Sequence, residues 1–504
     1  MSYPKLINGK NVVVFAVGKW TFERDVDRGF LGEALASLLV CPYSALVNGD
    51  YLRSQEIALK ERLVLELLEN LAIGYPELSY RIRIKPSYFM YEVLLNRVRV
   101  FPPMAYGMSY FLCGKARKEN VECVLSGYME ALKRLEIDGW IKFDDGFVTI
   151  AKKFIVRSKN HRVRFTNFSK RAPRALFTSI FSLFPQLLNF FAQNAEALSK
   201  FQPFPWRREF DARRFIDPKK YVFVPTAQGP VSLADNVDIA AFAHRILSDG
   251  VYSNIKVEDF GGVLNDVYLI RASSGSAEKK ILVKRFKDWS GLKWFPLSIW
   301  SFGAKGFAVL GTSRLERECA IGEFLACEGF SVPKVLHVSS KERLIFMEFI
   351  EGEDLSKGIR RIGEAQNLKK VEKEMAAVTE VGEIYAKVHA LNVSLGDTKP
   401  ENVMVNPEGR VYLLDFEQAT RDGDKAWDIA EFLYFSGHYL PLNGEQKAEK
   451  IAQAFINGYL KGRGDASVIR DAGLQKYTRV FSIFTLPSVL RVMSKACRKT
   501  EARK

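Results

Sequence analysis

Residues Val393–Gln418, VSLGDTKPENVMVNPEGRVYLLDFEQ, constrain this chain more than any other stretch. Two short apolar runs, Val403-Met404-Val405 and Val411-Tyr412-Leu413-Leu414, flank Asn406-Pro407-Glu408-Gly409. Apolar runs divided by a Pro/Gly turn predict a β-hairpin. That hairpin would gather Asp397, Asn402 and Asp415 in one place. Phosphoryl transfer uses such a set: Asp397 to orient an acceptor hydroxyl and take its proton, Asn402 and Asp415 to hold Mg²⁺ against nucleotide phosphates. Lys399 would reach the transferred group and offset its charge. One such triplet alone could be an Asp/Asn-rich turn beside an acidic strand end; the argument rests on the whole array.

The spacing from Asp397 to Asn402 is that of the protein-kinase loop H-R-D-L-x-x-x-N, and the segment resembles the catalytic core of the protein-kinase-like superfamily. It departs from ordinary protein kinases at Leu395, where His is usual, at Gly396, where Arg is usual, and at Asp415-Phe416-Glu417, where D-F-G is usual. The G-D start and D-F-E end resemble the kinase subunit of the KEOPS complex, RIO kinases, and aminoglycoside and choline phosphotransferases. The Lys399-Pro400-Glu401 filling is more like a Ser/Thr protein kinase.

The resemblance implies a nucleotide lobe upstream. Ile255–Phe260 and Val267–Arg271 read as strands around Gly261–Asp266, in which Gly262 matches the phosphate-covering loop. In the next strand, Ile281-Leu282-Val283-Lys284, period 2 puts Leu282 and Lys284 on one face. By likeness to V-A-I-K, Leu282 would lie on adenine and Lys284 on the α/β-phosphates. Arg314–Cys327 is a helix offering carboxylate partners for Lys284: Glu318 fits an R-x-x-x-E pattern, and Glu316 is the alternative. Met347–Gly352 resembles the hinge, with Glu348 and Ile350 at the adenine-binding positions. Asp428, in Asp424–Ala430, would brace the catalytic loop. ATP and Mg²⁺ are the cofactors implied. No activation loop ending in A-P-E is visible.

The rest of the chain is less specific. With 504 residues and 47% apolar content, two or three folded domains are expected. A net charge of +16 favours an anionic partner. Six cysteines without a C-x-x-C argue against zinc and disulfides and for a reducing cytosol, and the first ten residues lack a signal-peptide core. Residues 1–105 read as an α/β segment with a strand at Asn11–Val17, a helix at Ile57–Ile73, and a loop at Asp25-Val26-Asp27. In residues 106–155, the period-3.6 face from Val121 to Leu135 and the Asp144-Asp145-Gly146 hairpin form a winged-helix pattern, which resembles the module preceding the kinase in one RIO branch. Residues 156–245 read as a basic and helical linker. The overlapping Lys152–Arg174 stretch is basic and aromatic, suited to RNA or to an anionic membrane surface. Ala175–Ala195 is uncharged but interrupted by Pro185, and reads as a buried or interfacial helix pair. The aromatic insertion Asp288–Gly311 reads as packing on the N-terminal region or as a docking patch. Arg491–Lys504 reads as a basic tail.

The fold expected is α+β and multidomain. Its C-terminal part is bilobal and kinase-like, with an N-lobe at 246–350 and a C-lobe at 351–504. The function expected is an ATP/Mg-dependent phosphotransferase of the atypical Ser/Thr protein-kinase type, cytoplasmic or peripheral to a membrane, with a protein substrate. The competing readings are a small-molecule kinase and an inactive kinase-fold scaffold.

Overall fold

The computed structural model describes residues 2–7, 10–29, 33, 35–100, 111–112, 116–159, 217–248, 254–261, 265–274, 277–288, 307–367 and 371–501. The chain divides into two compact units, Met1–Phe223 and Val224–Lys504. The division therefore falls upstream of residue 246, where the sequence suggested that the N-lobe begins.

The first unit opens with a hairpin of β1 (Ser2–Ile7) and β2 (Lys10–Phe15), in which Ser2 faces Phe15. Helix α1 (Lys19–Arg28) takes up Asp25-Val26-Asp27, a stretch expected to be a loop. The reason lies in Asp25. It is fully buried, and its carboxylate accepts the backbone N–H groups of Glu33, Leu35 and Ala36, so it organises the turn that follows the helix. After it come α2 (Gly49–Gly74), β3 (Arg83–Ile84), α3 (Ser87–Val100), α4 (Arg117–Ile137), β4 (Ile141–Asp144), β5 (Phe147–Ile150) and the short α5 (Lys152–Ser158). The buried face of α4, made of Val124, Tyr128, Ala131, Leu132 and Leu135, packs on α2. β4 and β5 turn at Asp145 and Gly146, both at positive φ. β3 pairs with β5 and with β6 (Val222–Val224).

Helix α6 (Ile239–Ser248) belongs to the second unit. Its Phe242 is buried and stacks on Phe346 at 4.0 Å between ring centres. That contact is part of an apolar layer behind an antiparallel five-stranded sheet, ordered β10-β11-β9-β8-β7. The strands are β7 (Asn254–Gly261), β8 (Asn265–Ser274), β9 (Ala277–Phe286), β10 (Val335–Ser339) and β11 (Leu344–Glu348). Helix α7 (Gly311–Cys327) joins β9 to β10 through the aromatic insertion.

Beyond the strand end at Glu348 the unit is mainly helical: α8 (Leu355–Glu364), α9 (Glu372–Ala390), α10 (Lys425–His438), α11 (Glu445–Lys461), α12 (Ala466–Ala472), α13 (Gln475–Phe481) and α14 (Pro487–Arg498). α9 and α11 approach closely because Gly382 and Gly458 face the partner backbone; a Cβ on Gly458 would collide with Thr379 O. The core around Tyr385, Trp427, Phe432, Phe455 and Phe481 anchors them. α14 corrects the expected basic tail. Val489, Leu490, Met493 and Cys497 recur at helical spacing and are buried, so the chain stays packed to Arg498.

Gly262, Ala175–Ala195, Lys170, Arg171, Arg174 and the insertion tryptophans Trp289, Trp294 and Trp300 lie outside the described residues. Of the insertion's aromatics, Phe307 is described, and it packs edge-on against Trp427. No described helix is long and apolar enough to cross a membrane.

Candidate active site

The hairpin forms as the turn chemistry predicted: β12 (Val403–Val405) pairs antiparallel with β13 (Val411–Leu413), Val403 opposite Leu413. Its ends bring Asn402 and Asp415 together, because Leu414 N–H donates to Asn402 O. Asp415 has φ 64°, in the left-handed region, where a non-glycine residue costs on the order of 1–3 kcal/mol. Its partners hold it there.

Lys284 stands on the middle strand of the sheet. Ile281 and Val283 bury in the apolar layer with Phe242, so alternation turns Leu282 and Lys284 to the opposite face. Lys284 Nζ is 3.1 Å from Glu318 Oε1 and 3.2 Å from Asp415 Oδ1. Glu318, not the alternative Glu316, is thus the carboxylate of α7 that meets the lysine. Burial opposes the ammonium, but Asp415 and Glu318 outweigh it and hold its pKa above the ordinary lysine value. Burial pushes the Glu318 carboxyl up to about 7 against the pull of Lys284, whereas Asp415 is held low by Lys284 and Lys399 despite its burial. The raised lysine favours an ion pair and the raised Glu318 favours a neutral acid. Asp415 is thus the principal counter-charge of Lys284, and of the two carboxyls beside the lysine Glu318 is the readier to protonate.

In the catalytic loop, Gly396 has φ 81°, a conformation at ease only for glycine, which accounts for G-D in place of R-D. Lys399 Nζ lies 3.1 Å from Asp397 Oδ2. Asp397 raises the pKa of Lys399, with burial working the other way. Asn402 Nδ2 donates to Asp397 O at 3.0 Å, which leaves the amide oxygen as the free end of the side chain. An amide oxygen and a carboxylate are hard donors of the kind Mg²⁺ takes, one or two at a time, together with phosphate oxygens. Asn402 and Asp415 therefore fit that ion, which when bound would neutralise phosphate charge. No cluster of three or more His, Cys, Asp or Glu side chains able to hold a metal occurs among the described residues. Glu348 ends β11, its N–H donating to Lys334 O, and Ile350 lies just past the strand.

Two acids on α10 hold the loop's backbone. Asp428, fully buried, accepts Leu395 N–H at 2.6 Å and Gly396 N–H at 2.8 Å, and meets His389 Nε2 at 3.1 Å. Glu431, one turn on, accepts Thr398 N–H at 2.7 Å and Trp427 Nε1–H at 3.1 Å. The backbone on both sides of Asp397 is thus pinned from one helix. The sequence pointed to Asp428 but not to Glu431 or His389, whose roles arise only when α9 and α10 converge.

A second group was legible only as an oddity. Glu417 occupies the place where D-F-G has glycine. It is 4% exposed, and its carboxylate accepts Asn265 Nδ2–H at 2.7 Å and Arg314 Nη1–H at 3.2 Å. Arg314, itself fully buried, also donates to Asn265 Oδ1 at 2.8 Å and to Lys287 O. Strand β8, helix α7, the end of β9 and the D-F-E segment meet at this one guanidinium. Burial and Asp415 push the Glu417 carboxyl up, with Arg314 offsetting part of the shift.

A small antiparallel sheet that carries a lysine paired to a helical glutamate, set over a hairpin with Asp, Asn and Asp, is the arrangement shared by kinase folds. The family described as "Lipopolysaccharide kinase (Kdo/WaaP) family" matches residues 278–459, which include Lys284, Glu318, Asp397, Asn402 and Asp415. Over that range the C-terminal unit resembles the atypical protein-kinase-like superfamily. This kinase-like unit is also similar to the KEOPS complex subunit Bud32 of Pyrococcus abyssi (strain GE5 / Orsay), 27% identical over 154 residues, covering 27% of this chain. The match spans 66% of that relative's own length.

Proposed function

We propose that the kinase-like unit transfers the γ-phosphoryl group of ATP to a hydroxyl, with a serine or threonine side chain as the preferred acceptor. The observation that carries this reading is the convergence of Glu318 and Asp415 on Lys284, each within 3.2 Å, beside the Asp397–Lys399 pair. In this reading Lys284 holds the α/β-phosphates, while Leu282, Glu348 and Ile350 seat adenine and Gly262 covers the phosphates. Asn402 and Asp415 hold Mg²⁺. Asp397 accepts the hydroxyl proton as the oxygen attacks phosphorus and the bond to ADP breaks, and Lys399 offsets charge on the transferred group. Between Gly352 and Thr379 the described residues form the short strand Glu353–Asp354, α8 and the start of α9, little protein with which to bury a small acceptor, and this supports a protein substrate.

A second reading has one specific support. The matched family is described by lipopolysaccharide kinases, so a sugar hydroxyl is the competing acceptor class. For the first unit, the order helix, strand, helix, helix, strand, strand, with β3 beside β5 and β5 beside β4, supports a winged-helix module. On this reading it starts at α2, upstream of residue 106. A cytoplasmic location remains the expectation from the cysteines.

Incubation with [γ-³²P]ATP and Mg²⁺, comparing wild type with Asp397→Asn, tests the activity. Label on protein in the wild type alone supports the first reading. Label on a supplied lipopolysaccharide or sugar instead supports the second. Equal labelling by both proteins sinks the enzymatic reading.

A further inference from the structure

The sheet of the first unit has one face in the core and one outside. Ile84, Ile141, Val148, Ile150 and Val222 point inward and are buried. The registers Arg83↔Phe223 and Asp144↔Phe147 place the opposite set on the outer face. Lys85 follows Arg83 with the same parity, and Lys142 and Thr149 are an outward pair on β4 and β5.

This outer face is not an ordinary solvated sheet surface. Phe147 and Phe223 are partly exposed there and meet edge to face at 5.5 Å between ring centres. Three cation–ring contacts surround them. Arg83 lies 5.9 Å from the Phe147 ring centre, and Lys85 lies 5.7 Å from Phe147 and 5.5 Å from Phe223. Lys85 and Lys142 are exposed, and Arg83 retains 38% of its side-chain exposure. Asp144 is the acid facing this set, paired with Arg83 at 3.3 Å and 59% exposed. Among the described residues, these three cations against the Asp144 carboxylate leave the face positive around two adjacent aromatic rings.

We propose that this face binds single-stranded nucleic acid. Unpaired bases would stack on Phe147 and Phe223, and the backbone phosphates would contact Arg83, Lys85 and Lys142. Single strands are held in this way: cations track the phosphates and rings take the bases, with little dependence on sequence. Each repeat of such a polymer supplies both a flat π face and a negative charge, which is what this surface lacks. A duplex keeps its bases stacked inside and offers only the phosphates. This inference does not rest on the kinase reading, since none of these residues belongs to the kinase-like unit.

The test is fluorescence anisotropy of the full chain with fluorescein-labelled 12-residue oligouridine and oligothymidine, across a salt series. Phe147→Ala and Phe223→Ala should each weaken binding at least about 5-fold at fixed salt, the lower end of what one stacked base contributes. Lys85→Glu alters an exposed side chain, leaves the fold undisturbed, and should flatten the log–log salt slope by about 0.7 for each phosphate no longer neutralised. ATP turnover should be the same in all three variants. Binding that is absent, or that is unchanged in the variants, overturns the proposal, as it would then arise from other basic segments. So does a face that fails with oligonucleotides yet binds phosphatidylserine vesicles in a Lys85-dependent way, which would make it a membrane contact.

Discussion

Removing the Glu417 side chain tests the four-way junction at Arg314 most directly. Arg314 is fully buried and cannot shed its charge, so Glu417→Ala takes a carboxylate from a buried cation that also donates to Asn265 Oδ1 and Lys287 O. Removing one partner of a buried pair in this way costs about 3–5 kcal/mol. In a domain this size each kcal/mol lowers the melting temperature by roughly 2–4 °C, so a fall on the order of 6–20 °C is expected by calorimetry. Glu417→Gln should behave differently. It keeps an acceptor for Arg314 and Asn265 and removes a carboxyl whose ionisation burial and Asp415 already oppose, so its melting point should stay near wild type at neutral pH. The pH dependence has a definite sign. The folded pKa of Glu417 lies above its ordinary 4.5, so the stability of wild type relative to Glu417→Gln is greatest below about pH 4.5 and declines as pH rises through the folded value. Replacing both partners with apolar residues, Arg314→Met with Glu417→Leu, should recover much of the loss, because an apolar pair incurs no desolvation cost. Because Asn265 opens β8 inside the stretch read as covering the phosphates, Glu417→Ala should also raise the KM for ATP more than it lowers kcat. A melt within about 1 °C of wild type for Glu417→Ala, with additive single and double changes, would refute the reasoning.

Three other outcomes follow from the same geometry. Asp397→Asn should lower kcat by about 10²–10⁴-fold with KM for ATP nearly unchanged, since it removes proton acceptance rather than nucleotide binding; steady-state kinetics separate the two. Asp428→Asn should cost about 1–3 kcal/mol for each backbone N–H left without a charged acceptor, and it should slow turnover because the loop carrying Asp397 shifts; denaturant melts and kinetics read both. Gly458→Ala puts a Cβ against Thr379 O and should destabilise by about 1–3 kcal/mol or more through the forced separation of α9 and α11, with the active-site residues untouched; calorimetry checks it.

The catalytic hairpin is legible in the chain because everything that shapes it is local. Apolar runs of strand length, a Pro/Gly turn and fixed offsets between Asp397, Asn402 and Asp415 are properties of consecutive residues. The same holds for the α4 face and the β4–β5 turn, where a 3.6-residue period and Asp145-Gly146 are read directly. The C-terminal helix passes for a tail when its basic residues are weighed and its apolar repeat is not. What the chain could not disclose is which distant residues meet. Arg314 and Glu417 are separated by more than a hundred positions, and neither has a local pattern that requires the other. Whether Lys284 met Glu316 or Glu318 turned on the rotation of α7 about its axis, a matter of core packing. The outer face of the first sheet joins Arg83, Phe147 and Phe223 only because β3 lies between β5 and β6, an order set by long-range hydrogen bonding. Sequence thus determined the elements and the reactive groups they carry; the tertiary fold decided their pairings, because burial and strand order act between residues far apart in the chain.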